Sequence, residues 1–356
     1  MSNSLQSGRW SSIVSRLGEV ADLEATARSF GALRRVRKVR RAEDLLRLAL
    51  MYGPGHLSLR STAALAGDAA IVGLSDKGVL GRLRKMGDWL EHLLGRLLEQ
   101  RRGLALGDAA LNLSLVDGSV ICAPGSTGSD WRLHARFDPA RGCFADLVLT
   151  RGDVAERGER TEITAGQTVV QDRGYARVRD FSAVLAARAD FITRIGWNAL
   201  RLCDGRGQRL EVLKLLPDTD VAVEYPVHVK GLPQALRLVI QRLPADKAAR
   251  QRKRVARKSN SAGHCLDPRT ATAAGYLMLI TSLPAPTQPA AQIIAMYRNR
   301  WQIELGFKRL KTLAGLDRLP AMDPALARTW LLAQLLVAVL TDEIASEIVG
   351  FPPSSA

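Results

Sequence analysis

The chain is short of the residues that build metal cages and disulfide frameworks. Its four cysteines (Cys122, Cys143, Cys203, Cys265) and five histidines (His56, His92, His134, His228, His264) are scattered over 356 residues. No CxxC pair occurs, which excludes the usual zinc and disulfide patterns and fits a reducing, intracellular setting. No apolar signal segment opens the N-terminus. The most apolar run, Trp330 to Leu340, is too short to span a bilayer and is interrupted by Gln334, so it reads as a buried helix of a soluble protein, with no membrane partner. Internal repeats and low-complexity tracts are also missing. Acid is the scarce charge: 35 Asp and Glu against 51 Lys and Arg leave a net charge of +16 and a pI of about 10.3. Such an excess points to a polyanionic partner, most commonly nucleic acid, although a uniformly solvated basic surface has the same composition.

What is present falls into successive patterns. Residues 1–107 read as helices, including AEDLLRLALMYG, closed by Gly53-Pro54-Gly55, then LSLRSTAALAG and KGVLGRLRKMGDWLEHLLGRLLEQ. Short helices behind the basic run Arg34–Arg41 fit a helix-turn-helix-like DNA module and, equally, a plain bundle with basic faces. Over 108–196 the pattern changes to strands: LNLSLVDGSVICA, WRLHARFD and CFADLVLT, then QTVVQ, a helix in ARVRDFSAVLAARA, and DFITRI. Three strands followed by strand–helix–strand predict a mixed α/β sheet with helices on its faces. Residues 197–286 hold short strand-like runs and the basic stretch Lys247–Lys258, which read as a β-rich basic insertion apart from the regular core. A helix over 287–318, with Thr287 as its N-cap, and a C-terminal helical segment over 319–356 complete the order.

Carboxylates mark the candidate chemistry. Asp117 in LVDGS and Asp172 in VVQDRGY are expected where apolar strands end, at an open sheet edge, although Asp-Gly and Asp-Arg-Gly are also good turn formers. Tyr297, Arg300, Glu304 and Lys311 are spaced so that a single helix brings all four within an arc of roughly 60°. A surface ladder of charges has similar spacing and contributes only about 0.3–0.5 kcal/mol per pair. Three carboxylates from two strands and a helix suit two Mg²⁺ ions, hard cations that bind a few carboxylates and phosphate oxygens. Arg300 and Lys311 beside them suit phosphates. Asp146 and Asp190 also lie near strands but belong to no such pattern, and Trp301 and Ile303 are expected to pack the Glu304 helix onto the sheet.

Asp117 in DGS, Asp172 in DRGY and Tyr297-x2-Arg300-x3-Glu304-x6-Lys311 together resemble the DDE transposases of bacterial insertion sequences, most closely the insertion-sequence-four family with its Y-R-E-K signature. The resemblance covers most of the chain. It implies a ribonuclease-H-like catalytic core, of the retroviral-integrase superfamily, split by the β-rich insertion and preceded by a helical DNA-binding region. It implies Asp117, Asp172 and Glu304 as catalytic metal ligands for two Mg²⁺ or Mn²⁺ ions. Tyr297, Arg300, Lys311 and Arg194 in DFITR would hold DNA. The expected activity is cut-and-paste transposition: binding terminal inverted repeats, cleaving at the element ends and joining 3′ ends to target DNA. A homodimer on two ends and a bacterial cytoplasmic, nucleoid-associated location follow from the same resemblance. A metal-dependent nuclease of the same fold and a catalytically silent, domesticated DNA-binding protein stand as alternatives.

Overall fold

The computed structural model describes residues 2–34, 37–102, 112–126, 128–154, 161–317, 319–320 and 323–349. The expected boundary at 107/108, Leu111 at the start of the first strand run, and the boundary after residue 318 lie outside the described residues. Among the described residues, six helices come first: α1 (Ser2–Leu17), α2 (Val20–Ser29), α3 (Ala42–Tyr52), α4 (Leu59–Asp68), α5 (Asp76–Leu83) and α6 (Gly87–Arg102). Local sequence sets their ends. The side chains of Ser58 and Ser75 accept the amides of Ser61 and Gly78, satisfying donors that the first turns of α4 and α5 leave free.

The helices close over the last element, α12 (Pro324–Val349), which runs well beyond the apolar stretch visible in the sequence. By length and composition α12 could cross a membrane, yet 67% of its most apolar window is buried inside the fold, against α3 and α6. Gln334, the polar interruption, is itself buried and donates to the Gly53 carbonyl at 3.2 Å, so it satisfies the bend after α3 rather than facing solvent. One carboxyl of α12 is less comfortable. Burial pushes the Asp342 pKa up, with Glu343 adding to the rise and Arg101 and Arg309 opposing it. A raised folded pKa favours the protonated form in the native state, so this contribution is present at low pH and is lost as pH rises through the folded value. Thermal melts are expected to show Asp342→Asn gaining stability relative to the parent as pH rises from 4 to 7. A pH-independent difference would refute this.

Among the described residues, nine strands form one sheet: β1 (Leu113–Ile121), β2 (Trp131–Asp138), β3 (Cys143–Arg151), β4 (Thr168–Gln171), β5 (Asp190–Arg194), β6 (Leu202–Cys203), β7 (Val223–Val229), β8 (Leu236–Arg242) and β9 (Tyr276–Thr281), in the order β3-β2-β1-β4-β5-β9-β8-β7-β6. β1, β2 and β3 are antiparallel neighbours, while β4 and β5 run parallel to β1. The mixed sheet expected from the strand pattern is therefore present. Helix α7 (Val178–Ala186) makes the crossover between β4 and β5. Alternation along the strands separates two cores. Leu115, Val170 and Ile192 face the helical layer that includes α6 and α12, whereas Val116, Val169 and Phe191 pack with Phe181 of α7.

The 197–286 stretch differs from its sequence reading in two ways. Its strands are not set apart from the core: β9 pairs antiparallel with β5, and β8 and β7 follow, so the sheet continues without a break. Pairing between strands almost ninety residues apart leaves no short-range mark. The basic run is helical, α8 (Ala245–Ser261), followed by the short α9 (Pro268–Ala273). The single helix expected over 287–318 is also two: α10 (Ala290–Arg298) and α11 (Trp301–Thr312). Pro289, not Thr287, is the N-cap of α10, and the Thr287 hydroxyl donates to the Pro284 carbonyl instead.

Candidate active site

Register alone brings the two aspartates together. The parallel β1–β4 ladder ends at the pair Val116–Gln171, so Asp117 and Asp172 are the next residues on adjacent strands. The β4–β5 ladder ends at Gln171–Thr193, and Arg194 follows. Asp117, Asp172 and Arg194 thus form one row, with strands about 4.8 Å apart. Each lies two residues after Leu115, Val170 or Ile192, so period-two alternation turns all three toward the same face, the one covered by α10 and α11. The expectation that Asp117 ends its strand is corrected: it is the fifth residue of the nine-residue β1. What ends there is the shorter partner β4, and its stop opens the sheet edge beside a strand that runs on.

The Y-R-E-K residues arrive across a helix junction rather than on one helix. The amides of Asn299, Arg300 and Gln302 bond back three residues, to Met296, Tyr297 and Asn299, a tightened turn at the joint. Tyr297 ends up buried on α10, Arg300 forms the N-cap of α11, and Glu304 lies in its first turn. Gly306 seats α11: a Cβ there would meet Phe144 at 2.8 Å, so the helix rests directly on Phe137 and Phe144 of the sheet. Ile303 is fully buried as expected, but Trp301 is 56% exposed, correcting its reading as a packing residue. Lys311 reaches back to β1, donating to the Val120 carbonyl at 3.1 Å.

Arg300 is the brace of the site. Its guanidinium donates to Asp117 Oδ2 at 3.2 Å and to Glu304 Oε1 at 2.5 Å, linking the strand acid to the helix acid. Burial works to lower its pKa, but Tyr297, Asp172 and Glu304 outweigh that and hold it above the usual arginine value. Burial raises the Tyr297 pKa; Asp172 adds to the rise, while Arg300 and Arg194 oppose it. Among the described residues, the buried Tyr297 hydroxyl makes no well-formed hydrogen bond and Arg194 Nε has no partner. Arg173, next to Asp172, was not singled out in the sequence. Desolvation and the Arg194 charge lower its pKa, with Arg254 of α8 adding to the effect and Asp172 and Tyr297 opposing it. Its position directly after Asp172 in DRGY was the available signal.

The donor set is all oxygen, which suits a hard divalent ion. Among the described residues no three His, Cys, Asp or Glu side chains stand close enough to cage one. Arg300 occupies the space between Asp117 and Glu304. Asp146 accepts the Glu162 amide and Asp190 accepts the Ser282 hydroxyl, so both serve local structure.

Residues 109–340 match the family described as Transposase DDE domain, a span that contains every residue of this site. The chain belongs to the DDE transposase family. Over 357 residues this transposase is 38% identical to the putative transposase InsL for insertion sequence element IS186A of Escherichia coli K12, covering 98% of this chain and 96% of that one. It is equally similar, 38% over 358 residues with the same coverage, to the transposase for insertion sequence element IS421 of Escherichia coli. A transposase for element IS231F of Bacillus thuringiensis subsp. israelensis is 29% identical over 221 residues, covering 54% of this chain and 46% of that one. Among solved structures, the piggyBac transposase synaptic complex with hairpin DNA aligns with a TM-score of 0.44 at 10% identity, covering 97% of this chain and 75% of that one. Membership in the family implies DNA-directed chemistry that depends on a divalent metal.

Proposed function

We propose that this transposase binds the terminal inverted repeats of its element, cleaves DNA at the element ends, and joins the 3′ ends to target DNA as a homodimer acting in the bacterial cytoplasm. The strand order β3-β2-β1-β4-β5, antiparallel then parallel, supports a ribonuclease-H-like core. The observation that carries the reading is the row of Asp117 and Asp172 faced by Glu304 through Arg300. Asp117, Asp172 and Glu304 would hold two Mg²⁺ or Mn²⁺ ions, which supply activation of water or a 3′-hydroxyl and stabilisation of the leaving oxygen. Arg300 would turn from the carboxylates to the scissile phosphate, where its planar fork matches two phosphate oxygens. Tyr297 would offer its buried hydroxyl to the backbone, Arg194 would neutralise a neighbouring phosphate, and Lys311 would exchange the Val120 carbonyl for another phosphate.

Recognition of the ends is assigned to the N-terminal helices. A groove of about 430 Å³ there is lined by Arg34, Arg37, Lys77, Arg82 and Lys85. None of these cations makes an ion pair among the described residues; Lys77 and Arg82 are carried by α5, and Lys85 follows its end. The test is an excision and strand-transfer assay on a donor plasmid carrying the element's own inverted repeats, with Mg²⁺. Joined product is expected. Scission without joining would indicate a nuclease of the same fold, and binding without scission a silent DNA-binding protein.

A further inference from the structure

Helix α5 is eight residues long and contains two glycines, Gly78 and Gly81, although glycine is among the poorest helix formers. Nothing inside the fold asks for the second of them. Gly81 is exposed and has no left-handed backbone angle, and a Cβ built on it would meet no atom of the described residues within 4 Å. An interior helix glycine that the fold does not need suits close approach by something outside it. Its place on α5 gives the direction of that approach. Val79 and Leu83 are buried in the helical core, and Gly81 lies about 180° from the line midway between them, at the most outward point of the helix. Lys77, exposed, precedes it by one turn on the same side, and Lys85, just past the helix end, continues the stripe.

The surroundings repeat the pattern. Gly78 and Gly81 line the groove of about 430 Å³ together with its cations. A second groove, of about 480 Å³, shares Arg37 with the first and adds Lys38 and Arg40. It is lined by Gly67 near the end of α4 and Gly73 in the turn before α5, where a Cβ again meets nothing within 4 Å. The helix is also held firmly. Ser75 accepts the Gly78 amide at 3.2 Å, the Thr329 hydroxyl of α12 donates to the Leu83 carbonyl at 2.7 Å, and Arg84 pairs with Asp323 at 2.7 Å. Helices α4 and α5 pack together across one turn, the order in which the second helix of a helix-turn-helix enters a groove. A rigid helix about 12 Å long, bare at its outermost point and flanked by lysines, matches a major groove about 12 Å wide.

We propose that α5 is the helix that enters the major groove of the terminal inverted repeat, with Gly81 at the closest approach. Lys77, in the first turn, reads base edges, while Lys38 and Arg40 hold phosphates beside the groove. Gly81 is thereby a specificity-determining position that works by lacking a side chain. The inference rests on the proposed function, in which the N-terminal helices recognise the element ends.

The test is fluorescence anisotropy of the full chain with a terminal inverted-repeat duplex and a scrambled duplex of the same composition, in Ca²⁺ at about 100 mM salt. Gly81→Leu is expected to bind the terminal duplex at least about tenfold more weakly, while its affinity for the scrambled duplex changes by less than about twofold. Gly81→Ala, which adds one methyl in open space, is expected to weaken the terminal complex less and to melt no lower than the parent. Damage to the fold cannot lower affinity while leaving the melting temperature in place. Lys77→Gln is expected to lose about tenfold in preference for the terminal duplex, and Arg40→Gln to weaken both duplexes alike. Gly95→Leu is the control: Gly95 is an exposed interior glycine of α6 whose Cβ also meets nothing, yet it lines neither groove, and both affinities are expected to stay unchanged. Parent affinity and preference in Gly81→Leu protein overturns the placement of α5 and leaves the transposase reading intact. Equal loss on both duplexes overturns it too, because α5 would then touch only phosphates. A parent protein with no preference for the terminal duplex overturns end recognition itself.

Discussion

Asp117→Ala protein is expected to bind its DNA ends normally and to cut nothing. Asp117 stands beside Asp172 at the end of the parallel ladder and is tied to Glu304 through Arg300, so under the proposed function its oxygens would help hold the metal. Losing a ligand of the proposed metal site would remove several kcal/mol of transition-state stabilisation. About 4 kcal/mol corresponds to a loss on the order of 10³-fold in cleavage rate. The carboxylate also accepts the Gly118 amide at 2.8 Å, so Asp117→Asn, which keeps the side chain's shape, is the companion variant. Both are expected to lose cleavage and strand transfer while retaining the parent's melting temperature within a few degrees. Measurable joined product from either would remove Asp117 from the chemistry. Glu304→Ala is expected to behave the same way, and its 57% exposed side chain makes a folding explanation for the loss weak.

Arg300→Ala is expected to move metal affinity and activity in opposite directions. In the DNA-free protein the guanidinium neutralises Asp117 and Glu304 together, and it occupies the gap between them. A divalent ion approaching those oxygens must displace a cation held by two ion pairs. At about 4 Å and an effective dielectric constant near 20, a unit charge interaction is worth about 4 kcal/mol before screening. Discounting that for partial exposure leaves on the order of tenfold. Mn²⁺ binding to DNA-free Arg300→Ala protein, followed by electron paramagnetic resonance, is therefore expected to tighten about tenfold. Cleavage is expected to fall at least as much, because the proposed function also places Arg300 on the phosphate. Weaker or unchanged Mn²⁺ binding in the variant would show that the guanidinium does not compete with the metal.

The acids, the Y-R-E-K spacing and most strands could be read from the chain because their signals are local. LNLSLV, WRLHARFD and TVVQ alternate or cluster within a few residues, and a peptide responds to that pattern through its own backbone geometry. Misreadings fell where an outcome depended on distant partners. Asp117 looked like a strand end because Asp-Gly often turns a chain, yet β2 holds β1 straight through to Ile121. Tyr297 and Arg300 looked like one helix face because spacing cannot reveal a tightened turn at Asn299. Trp301 looked like a packing residue because its neighbour Ile303 is one, and only the seat of Gly306 on Phe144 decides which side of α11 is covered.

The family and a mixed sheet with helices on its faces were therefore legible along the chain, and the three acids with their basic neighbours were legible as candidates. Packing in three dimensions settled the rest: the parallel register that places Asp117, Asp172 and Arg194 in one row, and the addition of β9, β8 and β7 to the edge of β5. The difference is one of range. Periodicity and turn chemistry act over a few residues and leave a mark on the chain, whereas register and sheet order are settled by burial and pairing between segments far apart in sequence.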